Sequence, residues 1–191
     1  NAAEIHGTPW MRGTQVFGAY SFTDRALPSP SPTANLVGLW KGRSQELVND
    51  QYGYIGYWIG YNKKAEAKNY LDLAFKNVEF LEEKKYNLST LNAYKSALYS
   101  YKLSLNKALA PVLGIKSIES AREAVKLDKE NYFGYVQMGN IQFYIPSTFG
   151  GSKKEALDYF LKAKELMEKS SGNLSENWNY LSLLVIIGQS Y

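Results

Sequence analysis

Few side chains in this sequence are equipped for covalent chemistry. The 191 residues include no cysteine and a single histidine, His6. Disulfides, thiolate nucleophiles and cysteine-based zinc sites are therefore excluded. A Ser–His–Asp triad could run only through His6, and no Gly-x-Ser-x-Gly elbow accompanies it. The carboxylate pairs Glu82–Glu83 and Glu165/Glu168 are flanked by lysines and read as solvated helix faces rather than acid–base pairs. The run Gly150-Gly151-Ser152-Lys153-Lys154 has the residue types of a phosphate loop. Their order is wrong, however, and the segment follows a helix instead of a strand, so it reads as a turn. The start of the helix after it leaves anion capture open on physical grounds. The expectation is a non-enzyme with no metal and no cofactor.

The remaining chemistry is that of aromatic recognition. The chain carries sixteen Tyr, four Trp and eight Phe. Such rings supply apolar area, and Tyr and Trp add a polar edge that can orient a ligand. Tyr52, Tyr54, Tyr57, Trp58 and Tyr61 crowd one segment, and Phe133, Phe143 and Tyr144 occupy another. Core packing competes with ligand contact as the explanation of both.

The elements that must position these rings are helical. Residues 1–36 carry Gly7, Gly13 and Gly18 and the alternating prolines Pro28, Pro30 and Pro32, a pattern incompatible with helix interior. They read as an irregular segment lying on a helical body over 37–191. In that body, periodicity places helices at about 37–60, 63–85, 89–109, 115–128, 131–145, 153–169 and 175–190. Ser152 and Glu155 form a capping-box pattern, and Ala156, Phe160, Ala163 and Met167 then fall on one face. Asn87-Leu88-Ser89 and Asn173-Leu174-Ser175 match the glycosylation pattern but read better as helix-start caps. Pro146 to Gly151 is expected to form an ordered turn with Phe149 tucked inward.

Small residues recur at fixed offsets from large ones: Ala67 and Ala74, Ala121 and Ala124, Ala156 and Ala163. With Tyr135, Met138 and Gly139 preceding Ala156, Phe160 and Ala163, this pattern resembles tetratricopeptide repeats over about 49–191. The Pro-x-x-Phe-Gly-Gly turn is similar to loops of bacterial exported repeat proteins, including the periplasmic T component of tripartite transporters. The resemblance implies an all-α array of stacked antiparallel hairpins, each burying its apolar face only against its neighbours. It also implies a concave surface lined by the first helix of each pair. On that geometry, ligand contacts are expected at Tyr54, Tyr57, Tyr61, Asn140, Phe143, Tyr144 and Tyr180. Phe133, Val136 and Gln137 share the same inner face of their helix. Some repeat proteins of this kind clamp a terminal carboxylate with successive cations. Val136 stands where a cation would be needed near Asn140, so that mode is not expected.

A formal charge of +4, with lysines interleaved among glutamates, gives no basic stripe, and nucleic acid is not an expected partner. No apolar run reaches the ~20 residues of a membrane span. The expected partners are a peptide, another protein or an apolar small ligand, and a homo-oligomer is compatible with the pattern. The absence of cysteine fits a periplasmic or otherwise exported protein, with the cytoplasm as the alternative. A structural assembly subunit whose aromatic surfaces are all interfaces is the competing function; a carboxylate-dependent hydrolase ranks below both. Leu183 to Ile187 cover more than one face of the last helix, so something beyond a single neighbour must bury them.

Overall fold

The computed structural model describes residues 43–170, 174–175 and 177–191, with side chains from Val48 onward and Trp178 excepted. The proline-rich segment, His6 and Asn173 lie outside the described residues. Among the described residues seven α-helices follow in order: α1 (Arg43–Gly60), α2 (Lys64–Glu83), α3 (Leu88–Leu105), α4 (Ala110–Leu127), α5 (Tyr132–Tyr144), α6 (Lys153–Ser170) and α7 (Trp178–Ser190). Two 3-10 turns, Lys107–Leu109 and Ser147–Phe149, precede α4 and α6. No strand occurs among the described residues, so the all-α expectation holds.

Three of the connections turn on left-handed residues. Asn62, Lys85 and Gly150 have φ of 57°, 54° and 88°. Each sits at the same point of a paired hydrogen-bond motif. Lys63 N donates to Trp58 O while Asn62 N donates to Ile59 O. Tyr86 N to Leu81 O and Lys85 N to Glu82 O repeat the pattern, as do Gly151 N to Pro146 O and Gly150 N to Ser147 O. This is the Schellman arrangement, which satisfies the last carbonyls of a helical turn and reverses the chain. Helix starts are capped by asparagine: Asn87 accepts from Thr90 N, Asn131 from Phe133 N and Gly134 N, and Asn177 from Tyr180 N.

The chain divides into two compact units, the first ending at Asn77 and the second beginning at Val78. In the first, α1 runs antiparallel to the first part of α2. Asn77 Nδ2 donates to Gln51 Oε1 at 2.9 Å, and Tyr54 stacks on Tyr70 at 5.0 Å between centroids. Ala67 and Ala74 are fully buried.

In the second unit α3 and α4 form an antiparallel hairpin. Ser89 Oγ donates to Ala124 O at 2.7 Å, and Ser117 Oγ donates to Ser96 O at 3.0 Å. Helix α5 packs against both. Its cap Asn131 donates to Ser89 Oγ at 2.7 Å, and its Phe133 ring lies 4.9 Å from Tyr94. Helix α6 packs on α5, and α7 packs on α6. A Cβ added at Gly139 would lie 2.4 Å from the Phe160 ring, so α5 and α6 meet at a distance only glycine permits. Ala121, Ala124, Ala156, Phe160 and Ala163 have no exposed surface.

Several local expectations are corrected. The third helix stops at Leu105, where Asn106 caps the short turn by accepting from Ala108 N. The fourth begins at Ala110 rather than near residue 115, with Pro111 in its first turn, where proline lacks nothing it needs. Half of the capping box is present: Glu155 N donates to Ser152 Oγ at 3.2 Å, but Ser152 N donates instead to Gln142 O at 3.0 Å. The last helix is capped by Asn177 rather than by the Asn173–Ser175 stretch. Phe149 is not tucked inward but 81% exposed. The 3-10 turn and the left-handed Gly150 complete the chain reversal through backbone bonds alone, with no need of a buried ring. In α7, Leu183, Ile186 and Ile187 are buried while Leu184 and Val185 remain partly exposed.

Two helical glycines give opposite expectations. A Cβ added at Gly114 would meet only open space, so Gly114→Ala should stabilise the protein by about 0.5–1 kcal/mol through helix propensity. Gly139→Ala should cost more than about 1 kcal/mol because the buried Phe160 ring must move. Urea unfolding of both variants measures the contrast.

Candidate ligand-binding site

The aromatic residues of α1 arise from a helix whose inner stripe is already filled by Val48, Ile55 and Ile59. Tyr54 joins that stripe: it is 5% exposed and ring-stacked on Tyr70. Tyr57 and Tyr61, one turn apart, lie together at 4.6 Å between ring centroids, and Trp58 meets Tyr57 edge-on at 5.1 Å. Tyr57 is half-buried and Tyr61 is 58% exposed, so the pair forms an aromatic ledge at the helix end. Burial, then the charge and hydrogen bonding of Tyr61, push the Tyr57 phenol above its usual range. Burial also raises Tyr70, with the Trp58 indole opposing it.

The second group belongs to α5, whose thirteen residues include no charged side chain. Phe133, Gln137, Asn140 and Tyr144 fall four, seven and eleven residues along, on one face. Phe143 meets Tyr144 edge-on at 5.0 Å and lies 6.3 Å from the buried Phe160, with Lys153 Nζ 5.0 Å above its ring. Val136, on the neighbouring stripe, is core at 2% exposure.

The polar atoms of α5 are its unusual feature. Gln137 is only 3% exposed, yet its Nε2 has no hydrogen-bond partner. Asn140 Oδ1 and Gln142 Oε1 are likewise buried and unpartnered among the described residues. An amide left this way costs about 1–3 kcal/mol, so such groups call for an explanation. The sequence pattern puts Gln137 on the inner face without marking it as a contact. The signal it does carry is two primary amides one turn apart in a helix with no charge.

Tyr180, on α7, is engaged differently. Its hydroxyl donates to Glu168 Oε1 at 2.5 Å, and Lys164 Nζ donates to the same oxygen at 2.7 Å. The Glu168 carboxyl is held below its usual range by Lys164 and then Tyr180, and the Tyr180 phenol is raised by Glu168. Of the expected contacts, the structure therefore pairs Tyr57 with Tyr61 and Phe143 with Tyr144. It sets Asn140 on the amide face of α5 and ties Tyr180 to α6.

No group of three or more His, Asp or Glu among the described residues is placed to hold a metal. No helix among them is long and apolar enough to cross a membrane.

No protein-family model matches the chain. No curated protein matches it in sequence. Among solved structures, it is similar to the HusA haemophore from Porphyromonas gingivalis, with a TM-score of 0.68 and 17% identity. The match spans 97% of this chain and 94% of that one. At this identity the likeness establishes the shared helical fold.

Burial also raises the Tyr132 phenol, at the start of α5, above 10.0. A raised phenol contributes fully to stability below the unfolded value and loses that contribution as pH rises through the folded one. Stability should therefore fall above about pH 10, and Tyr132→Phe should flatten that fall. Urea midpoints measured from pH 8 to 11 check this.

Proposed function

We propose that this chain is a non-catalytic binding protein that holds a flat, largely apolar small ligand of the tetrapyrrole class against its aromatic rings. The observation that carries the reading is the likeness to a haemophore over nearly the full length of both chains. The chemistry of the rings agrees with it. A tetrapyrrole is a broad apolar disc with a polar edge, and stacked aromatic faces with a few oriented polar groups suit such a shape. In the second unit the proposed contacts are Asn140, Phe143, Tyr144 and Tyr180; in the first, the Tyr57–Tyr61 ledge is a proposed contact surface by itself, with Tyr54 stacked on Tyr70 in the same unit. Stacking of the helices in the manner of tetratricopeptide hairpins, and export from the cytoplasm, belong to the same reading.

A protein partner is the second reading. It is favoured by one observation: Phe149 stands 81% exposed on the α5–α6 turn. A lone exposed aromatic on a rigid turn is the kind of group that anchors a protein interface.

Titration of the purified protein with haemin tests the first reading. A saturable Soret shift with quenching of Trp fluorescence at micromolar haemin is expected. Phe143→Ala should weaken binding by about tenfold or more, and Tyr57→Ala tests the ledge of the first unit separately. Unchanged spectra would overturn the proposal. Lowered melting temperatures with unchanged affinity in both variants would assign these rings to the core instead.

A further inference from the structure

The unpartnered amides of α5 point to a specific recognition task. Gln137 offers a donor, Nε2, and Asn140 an acceptor, Oδ1; both atoms are buried and neither has a partner among the described residues. The two residues are three apart and so project from the same side of the helix. Gln142, two residues beyond Asn140, points to a different side and is not part of the pair. Phe133 and Tyr144 extend the same face above and below, and the Tyr94 ring fixes Phe133 at 4.9 Å.

Charge narrows what the pair can receive. Helix α5 has no ionisable acid or base other than its tyrosines, and Gln137 itself is 3% exposed. An ionised group brought there would lose its hydration without a counter-charge from α5. A neutral group that carries an acceptor and a donor side by side would lose nothing, because each of its atoms meets the complementary amide atom.

We propose that Gln137 and Asn140 form a subsite that recognises a neutral carboxamide-like edge of the ligand, one acceptor beside one donor. The subsite rests on the binding function proposed above and specifies its preference. A ligand amide donates N–H to Asn140 Oδ1 and accepts from Gln137 Nε2, while its apolar body lies along Phe133 and Tyr144. The two protein amides are kept polar at a cost in stability because the ligand completes their hydrogen bonds.

The test compares three metal-free probes at pH 7.5: protoporphyrin IX diacid, its diamide and its dimethyl ester. The diamide has donor and acceptor, the ester lacks the donor, and the diacid is ionised. The wild-type protein should bind the diamide about tenfold more tightly than the ester or the diacid, the size of effect expected from one satisfied buried hydrogen bond. Gln137→Met and Asn140→Leu should erase that preference by weakening diamide binding about tenfold. Both variants should also melt at a higher temperature without ligand, since an unsatisfied amide is replaced by apolar atoms of similar size. Equal binding of all three probes by the wild type would overturn the subsite and leave the tetrapyrrole reading standing. Retention of the diamide preference in both variants would do the same. Failure of every probe to bind would overturn both.

Discussion

The closeness of α5 to α6 is the constraint on which the second unit depends. A Cβ at Gly139 would lie 2.4 Å from the Phe160 ring, and Phe160 is the largest side chain with no exposed surface. Helices separated by a bare glycine are fixed in register, because the ring fits only where the backbone is uncovered. Gly134 repeats the device on the other side of α5, where a Cβ would meet Val125 at 3.0 Å. Held at both contacts, α5 has no freedom to rotate. The face bearing Gln137 and Asn140 is set by those contacts rather than by its own hydrogen bonds.

That placement explains how a helix can retain buried amides without partners. Packing against α3, α4 and α6 stabilises α5 by apolar burial, and Asn131 anchors its start to Ser89. Against that gain stand the three unsatisfied amides of Gln137, Asn140 and Gln142, each costing about 1–3 kcal/mol. Departures from full satisfaction gather at functional sites, where the missing partner is supplied by what binds.

The parts of this fold visible in the sequence are those set by repetition. Ala67, Ala74, Ala121, Ala124, Ala156 and Ala163 mark helix crossings because only a small side chain admits the neighbour, and all six are fully buried. The Asn87 cap and the left-handed Gly150 are visible because both rest on local backbone chemistry. The break at Asn106 is not, since Tyr94 to Leu109 keeps a helical period and the chain turns on a single side-chain bond to Ala108 N. Ser152 N escapes for a different reason: its acceptor, Gln142 O, lies across a loop, and tertiary contacts leave no trace in spacing. At the candidate site the rings are legible as types but not as roles. Tyr54 and Tyr57 are three residues apart, yet one is stacked in the core and the other stands at a half-open ledge. That difference depends on which neighbour reaches each ring, not on the rings themselves.

The protonation equilibria bear on what kind of site this is. Acid–base catalysis requires a group whose pKa is drawn toward the working pH. Among the described residues the perturbed groups move the other way. Glu165 and Glu168 are driven down, chiefly by their lysine hydrogen bonds, and Tyr57, Tyr70 and Tyr132 are driven up by burial. Each change strengthens the state the group already holds at neutral pH: ionised carboxylate on the surface, neutral phenol in the interior. These carboxylates therefore stay ionised and these phenols neutral across the physiological range. Those settings are compatible with the proposed binding of an apolar ligand by ring contact beside a neutral hydrogen-bonding edge.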